Sequence, residues 1–434
     1  MESTNEGLKR EIGVWGLSAN IINIIVGAGI FVLPAIVAAG LGAASILAYL
    51  FCGILVILIM LCFAEAGSIV TSSGGAYAYI EAAFGRYAGF VTSALFIGSC
   101  VAADAAVANA LVDLLARIFP VFAIPVIRIL FFVVVFGLLA AINIRGVKRG
   151  IGLIKITTIA KLSPLLLLVI IGWADVSIDN LKWDTTPSIT GIGQMALILF
   201  FAFQGGESAL AVSGEVQHPQ RTIPRAIFIA ILGILTLYIL IQTVAQGVLG
   251  SSLPAFSDAP LVEVAQHVFG PWGLAIMTAG AAVSMFGYMS GELLSMPRVL
   301  FGAARDKVIP FPLLARVHKK FATPYMAIAV YAGIGLSMAI FGGFRQLAII
   351  SGASILLVYM GVAFSVLRLR KISTRSKGAF RVPGGVVIPM ISVLIILWFL
   401  SNLEKAELIG MSLFLMVLSL IFWVTNTVIK RKQR

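Results

Sequence analysis

The sequence predicts an all-α polytopic membrane protein of twelve transmembrane helices, with a 5+5 inverted repeat, two further C-terminal helices, and helices 1 and 6 broken. Three observations predict it. First, 60% of the 434 residues are hydrophobic and only 11% are charged, with a mean hydropathy of +1.07, far too apolar for a soluble domain. Second, the apolar residues fall into twelve runs, most of them near the 17–25 residues that cross a bilayer. Third, glycine breaks interrupt corresponding runs, at Gly27-Ala28-Gly29 in the first and Gly205-Gly206 in the sixth.

In chain order the runs are 13–39, 42–68, 85–116, 124–143, 149–173, 190–215, 225–249, 272–303, 324–341, 345–367, 386–402 and 407–429. The breaks lie 178 residues apart, in the first run of each of two sets of five, runs one to five and six to ten. An odd number sends the second set into the membrane from the opposite side, so the halves form an inverted repeat. The expected organisation is an N-terminal segment 1–12, a first repeat 13–173, a second repeat 190–367, two appended helices 386–429 and a basic tail 430–434. In the connection 250–271, the stretch from Asp258 to Phe269 reads as a short amphipathic helix, with Asp258 as its N-cap and an outer lid as its role. With both termini inside, 23 of the 31 basic residues fall in inner segments and five in outer ones, which sets the orientation by the positive-inside rule. The net charge of +13 is therefore topogenic, with some attraction to anionic membrane lipid, and implies no nucleic-acid partner.

Other classes find little support. Cys52, Cys62 and Cys100 lie in apolar runs, so no disulfide framework is expected. His218, His267 and His318 are scattered over loops and predict no metal site. No phosphate-binding loop occurs. Neither an enzyme nor a cofactor is expected, and no cleavable signal peptide is read at the start.

The chemistry concentrates at the breaks, because unwound backbone in a membrane survives only where it lines a cavity or is buried in protein. Unwinding within Val26, Gly27, Ala28, Gly29 and Ile30 frees the amides near Ile30 and Phe31, an anion site backed by a helix dipole and suited to a carboxylate. Pro34, in the first turns after it, is expected to cost little. The alternative is a close-packed glycine seam. Around the second break, Phe200 to Phe203 present free carbonyls suited to an ammonium group. Amides on one span and carbonyls on the other match the zwitterionic backbone of an amino acid. Phe201 and Phe203 are placed to close over it, or are ordinary packing aromatics.

Ionisable residues inside spans are costly and call for a reason. Glu207 reads as a proton carrier or as a hydrogen-bonding link to a neighbouring helix. Lys161 reads as a cation satisfying carbonyls freed by the first break, or as a snorkelling side chain. Asp104 and Glu292 either face the pathway and favour a cationic substrate, or bond polar neighbours. Glu65 and Arg298 are placed at inner ends, in gate ion pairs, and Lys155 near the boundary.

Several blocks, taken in order over about residues 10–385, resemble the amino acid–polyamine–organocation superfamily of transporters, which has the LeuT-like fold. They are GAGIFVLP at 27–34, SSGGAYAYIEAAFG at 72–85, FAFQGGES at 201–208, EVQHPQRTIPRA at 215–226 and PRVLFGAARDKVIP at 297–310. Ser73 stands where the superfamily usually has proline, and His218 where it has asparagine. The resemblance implies that Ala28 and Gly29 belong to a carboxylate-binding segment. It places Phe201 on an aromatic gate, and Ala202, Phe203 and Gly205 in an ammonium-binding segment. It places Lys161 on the lysine that replaces a sodium ion, and Asp104 and Glu292 in the side-chain pocket. The expected function is a sodium-independent amino-acid transporter of a bacterial-type inner membrane, both termini cytoplasmic, working by alternating access as a proton symporter or exchanger. A polyamine or cationic amino-acid exchanger stands as the alternative, and a receptor or channel that binds without carrying is a further one. Its partners are the amino acid or polyamine, protons and lipid. No obligatory protein partner is expected, since no cysteine lies in an outer loop to tether one.

Overall fold

The computed structural model describes residues 8–183, 186–256, 259–309, 311–341, 344–372, 380–401, 412–413 and 415–423. The first expected span holds α1 (Val14–Ile25) and α2 (Gly29–Leu41), separated by three non-helical residues. Next come α3 (Ser45–Ile69), α4 (Ala76–Phe84), α5 (Arg86–Ile118), α6 (Pro125–Ile144) and α7 (Val147–Gly172). The sixth expected span holds α8 (Ile189–Phe200), a 3-10 turn at Phe201–Phe203, and a 3-10 segment at Ser208–Glu215. Then follow α9 (Pro219–Leu249), α10 (Pro260–Phe269), α11 (Trp272–Ser295), α12 (Pro297–Arg305), α13 (Tyr325–Phe341), α14 (Phe344–Ile372) and α15 (Val387–Ser401). Residues 412–413 and 415–423 are also helical, and the remainder of the expected span 407–429 lies outside the described residues. Among the described residues there is no strand, only an isolated bridge between Ile12 and Val216.

Six helical stretches are long and apolar enough to cross a membrane: 29–69, 86–116, 125–144, 147–175, 219–256 and 272–305. Shorter apolar helices lie at 14–25, 189–200, 325–341 and 387–398. The polarity of this multi-pass protein is inverted relative to a soluble domain. On α7, Ile159 is 69% exposed while Lys161, two residues on, is fully buried. A helix that shows isoleucine outside and hides lysine inside is built for a lipid exterior and a polar interior.

Local chemistry accounts for the element ends. Pro297 lacks an N–H, and the run expected at 272–303 divides there into α11 and α12. Pro125 and Pro219 stand at first helical positions, where the missing donor costs nothing. Pro34 is different: it is the sixth residue of α2, so the Ile30 carbonyl loses its helical donor. The helix expected from Asp258 begins at Pro260, with Ala259 in the cap position and no side-chain cap. Asp258 itself lies outside the described residues. α10 packs on α2, α7, α9 and α11. α1 sits centrally, against α7, α9 and α11, while α5 packs on α11, α13 and α14.

Candidate substrate site

The two breaks face each other with their chains antiparallel. A Cβ on Gly205 would stand 2.6 Å from Ile24 Cγ2, and one on Gly29 would stand 3.1 Å from Ala202 Cβ and 3.2 Å from its Cα. Gly205 has φ +102°, a conformation that side chains rarely tolerate. The sequence therefore supplies glycine at a backbone contact in one break and at a left-handed turn in the other.

At the first break, Val26 N donates to Ile22 O (2.9 Å), Gly27 N to Ile25 O (2.8 Å) and Phe31 N to Ala28 O (3.1 Å). The amides of Ala28, Gly29 and Ile30 have no acceptor among the described residues. The free set thus lies slightly earlier than the sequence suggested, because Phe31 closes a 3-10 turn on Ala28. Three consecutive free amides at the head of α2 suit a carboxylate.

The carbonyls of the same break are engaged. Lys161 Nζ, fully buried, donates to Asn23 O and Val26 O at 2.7 Å each and to Ser284 O at 3.0 Å. Ser284 Oγ donates to Val26 O (2.8 Å) and Gly27 O (3.0 Å). Asn23 Nδ2 donates to Gly287 O, and Thr157 Oγ1 donates to Asn23 Oδ1 (3.3 Å). One ammonium thus ties α1, α7 and α11 together through backbone oxygens, which is how a bound metal cation would be held.

Across the second break, Tyr238 OH donates to Ala202 O (3.1 Å) and to Ile25 O (3.4 Å), bridging both breaks. Phe203 packs edge-on against Tyr238, with ring centroids 5.0 Å apart. The side chain of Phe201 lies outside the described residues. Gly205 N donates to both carboxylate oxygens of Glu207, at 3.2 and 3.1 Å, and the Tyr359 hydroxyl bonds that carboxylate from α14. Glu207 therefore caps the break from which it emerges.

Asp104 and Glu292 are both buried in the interior. Tyr331 OH donates to Asp104 Oδ2 (2.8 Å), while Ser208 and Cys100 bond Glu292. Both carboxyls are buried, Glu292 lies within electrostatic reach of Asp104 and Glu207, and Asp104 Oδ1 and Glu292 Oε2 lack partners. Neither carboxyl pairs with a cation among the described residues.

The end of the bundle that holds Glu215, Arg298 and Glu65 is joined by packing and charge. Arg298 donates from Nε and Nη2 to Glu215 at 2.7 and 3.0 Å, both side chains fully buried. The N-terminal segment joins them, with Glu11 N and Ile12 N on Glu215 O (2.9 and 3.0 Å) and Gln217 N on Ile12 O (2.9 Å). Glu65 pairs instead with Arg370, at 2.6 Å to each oxygen, and accepts Val382 N at 2.8 Å. Gly74 N donates to Ala211 O (2.9 Å), and Tyr77 OH to Asp306 Oδ2 (3.1 Å), so residues 72–85 dock on the 3-10 segment and on the loop after α12. Burial pushes the Glu81 carboxyl up, and the negative charge of Asp306 adds to it, against Arg305 and Arg86. His218 has φ +44°, in the left-handed region where asparagine and histidine are the best-tolerated side chains after glycine.

Tyr238, Ser284, Tyr331 and Tyr359 are site residues that sequence reading passed over, since single serines and tyrosines in apolar runs carry no pattern. Asn20 and Asn23 were readable: two amides one turn apart inside a spanning helix imply hydrogen bonds to a neighbour. Asn20 Nδ2 indeed donates to Ser295 Oγ (2.9 Å).

The profile of the family described as amino acid permease matches residues 12–428. The chain belongs to this family, within the amino acid–polyamine–organocation superfamily, and is thus an integral membrane transport protein. Among curated relatives, the serine/threonine exchanger SteT of Bacillus subtilis (strain 168) is 30% identical over 407 residues, 91% of each chain. The methylthioribose transporter of the same organism is 27% identical over 98% of this chain and 95% of its own. Its branched-chain amino acid permease BcaP is 25% identical over 97% and 94%. These relatives are transporters rather than enzymes, and their substrates differ.

Proposed function

We propose that the chain is a secondary active amino-acid transporter that works by alternating access, without sodium, as a proton symporter or an exchanger. The observation that carries this reading is Lys161 Nζ among three backbone carbonyls of the first break and α11. The Lys161 amine occupies the position a sodium ion would take, and titration of Lys161 and of Glu207 is the coupling to protons in this reading. The free amides of Ala28, Gly29 and Ile30 take the substrate carboxylate, and the carbonyls near Phe201–Phe203 take its ammonium, with Val26, Gly27 and Gly205 shaping the backbone between them. Antiparallel breaks support twelve spans with 13–173 and 190–367 as inverted halves and 386–429 as an appendage. The charge asymmetry supports cytoplasmic termini in a bacterial-type inner membrane. Counterflow in proteoliposomes tests the class: a carrier trades labelled internal for external amino acid with saturation, and a receptor or channel does not.

A cationic amino acid or polyamine is the second reading, favoured by the unpartnered Asp104 Oδ1 and Glu292 Oε2. A buried acceptor without a donor costs about 1–3 kcal/mol, and a cationic substrate end removes that cost for both. A thermal-shift screen decides it. Stabilisation by arginine, lysine or putrescine, lost in Asp104→Asn/Glu292→Gln, makes the pair a charge-selective pocket. Stabilisation by neutral amino acids alone excludes that.

A further inference from the structure

A groove of about 370 Å³ opens beside the C-terminal end of α14, lined by Phe84, Gly361, Phe364, Leu367, Arg368 and Lys371. Gly361, Phe364, Arg368 and Lys371 follow at helical spacings and form one stripe along α14. The last residue of α4, Phe84, makes part of the opposite wall. α4 lies so close that a Cβ on Gly361 would stand 2.6 Å from Ile80 Cδ1. Phe84 and Phe364 are 49% and 39% exposed; Phe364 lies in the expected span 345–367, where exposure means contact with lipid, and Phe84 lies at the boundary just before the span 85–116. Arg370, one residue before Lys371, is taken by Glu65. Arg368 and Lys371 are exposed, and neither has an ion pair or hydrogen bond among the described residues. The groove is therefore apolar along its walls and doubly cationic at the helix end, where a spanning helix reaches the headgroups. Unpaired basic side chains above a trough between helices complement an acyl chain that carries an anionic head.

We propose that this groove binds an anionic glycerophospholipid of the inner leaflet, with its phosphate on Arg368 and Lys371 and an acyl chain along Phe84, Phe364 and Leu367. The site shares no residue with the two breaks; only the choice of leaflet rests on the cytoplasmic termini proposed above. The test uses the full chain purified in detergent and titrated with phosphatidylglycerol. Retained lipid is counted by native mass spectrometry and the thermal midpoint is followed in parallel. Phosphatidylcholine and inorganic phosphate serve as separate arms. The wild-type protein is expected to retain phosphatidylglycerol selectively and to gain stability from it alone. Arg368→Gln/Lys371→Gln should bind it roughly 30-fold more weakly, with its lipid-free midpoint unchanged. Lys319→Gln/Lys320→Gln, which removes two exposed cations elsewhere on the same side, should bind as wild type. Leu367→Glu places an anion in the trough and gives the same readout should the double variant misfold. Undiminished binding by the groove variants overturns the proposal, as does equal loss in the Lys319/Lys320 variant, equal retention of phosphatidylcholine, or the same stabilisation by inorganic phosphate.

Discussion

At the scale of residues, two side chains and one missing side chain carry the account. Gly29 touches Ala202 so closely that a branched substituent has nowhere to go. Gly29→Val is expected to abolish substrate-induced thermal stabilisation while costing the unliganded protein about 1–3 kcal/mol by overpacking; an intact ligand shift removes the carboxylate site from Gly29. Lys161→Ala leaves the carbonyls of Asn23, Val26 and Ser284 without their shared donor. The variant should still fold, since Ser284 continues to bond Val26 and Gly27, but its uptake should lose its dependence on pH. An unchanged pH profile makes the lysine purely structural. Glu81 provides a test through stability. Its raised value in the folded state means that the folded protein holds the proton more tightly than the unfolded chain. Folding stability from this group is greatest below the ordinary glutamate range, about 4.3, and falls as pH rises towards the raised folded value. Glu81→Gln should therefore gain midpoint over wild type above that window and match it below, as a thermal series across pH would reveal.

Among the elements, the broken first and sixth spans do what no intact helix can, because they expose amides and carbonyls to each other and to side chains. That pairing was legible in the sequence, since glycine clusters 178 residues apart interrupt runs that are otherwise mostly apolar. The detail of the second break was not. Residues Ser208–Glu215 continue as a 3-10 helix that bonds Gly74 and the N-terminal segment, contacts that no local pattern encodes. Nor did composition reveal that Glu215 is the partner of Arg298, because the two lie 83 residues apart and only the fold brings them together. This pair is fully buried on both sides. Arg298→Met leaves the Glu215 carboxylate buried without a partner and should destabilise the protein by about 3–5 kcal/mol, whereas Glu215→Gln/Arg298→Met should recover part of that loss. Equal midpoints for the single and double variants would place the contribution in packing rather than charge.

At the scale of the molecule, lipid-facing isoleucines surround a core that holds the carboxyls of Asp104, Glu207 and Glu292 and the ammonium of Lys161. Apolar runs and glycine breaks forecast the helices, because hydropathy sets a spanning element almost by itself. Which side chains meet in the core depends on helix rotation and crossing, which no hydropathy pattern encodes. The central claim is that the fixed ammonium of Lys161 stands in for a coupling ion. It is tested most directly by initial uptake into proteoliposomes of the amino acid that best stabilises the protein, in matched sodium and choline buffers. Saturable uptake at equal rates in the two buffers, accelerated by an inward proton gradient or by internal amino acid, is the expected result. Uptake that fails in choline and returns with sodium would contradict it.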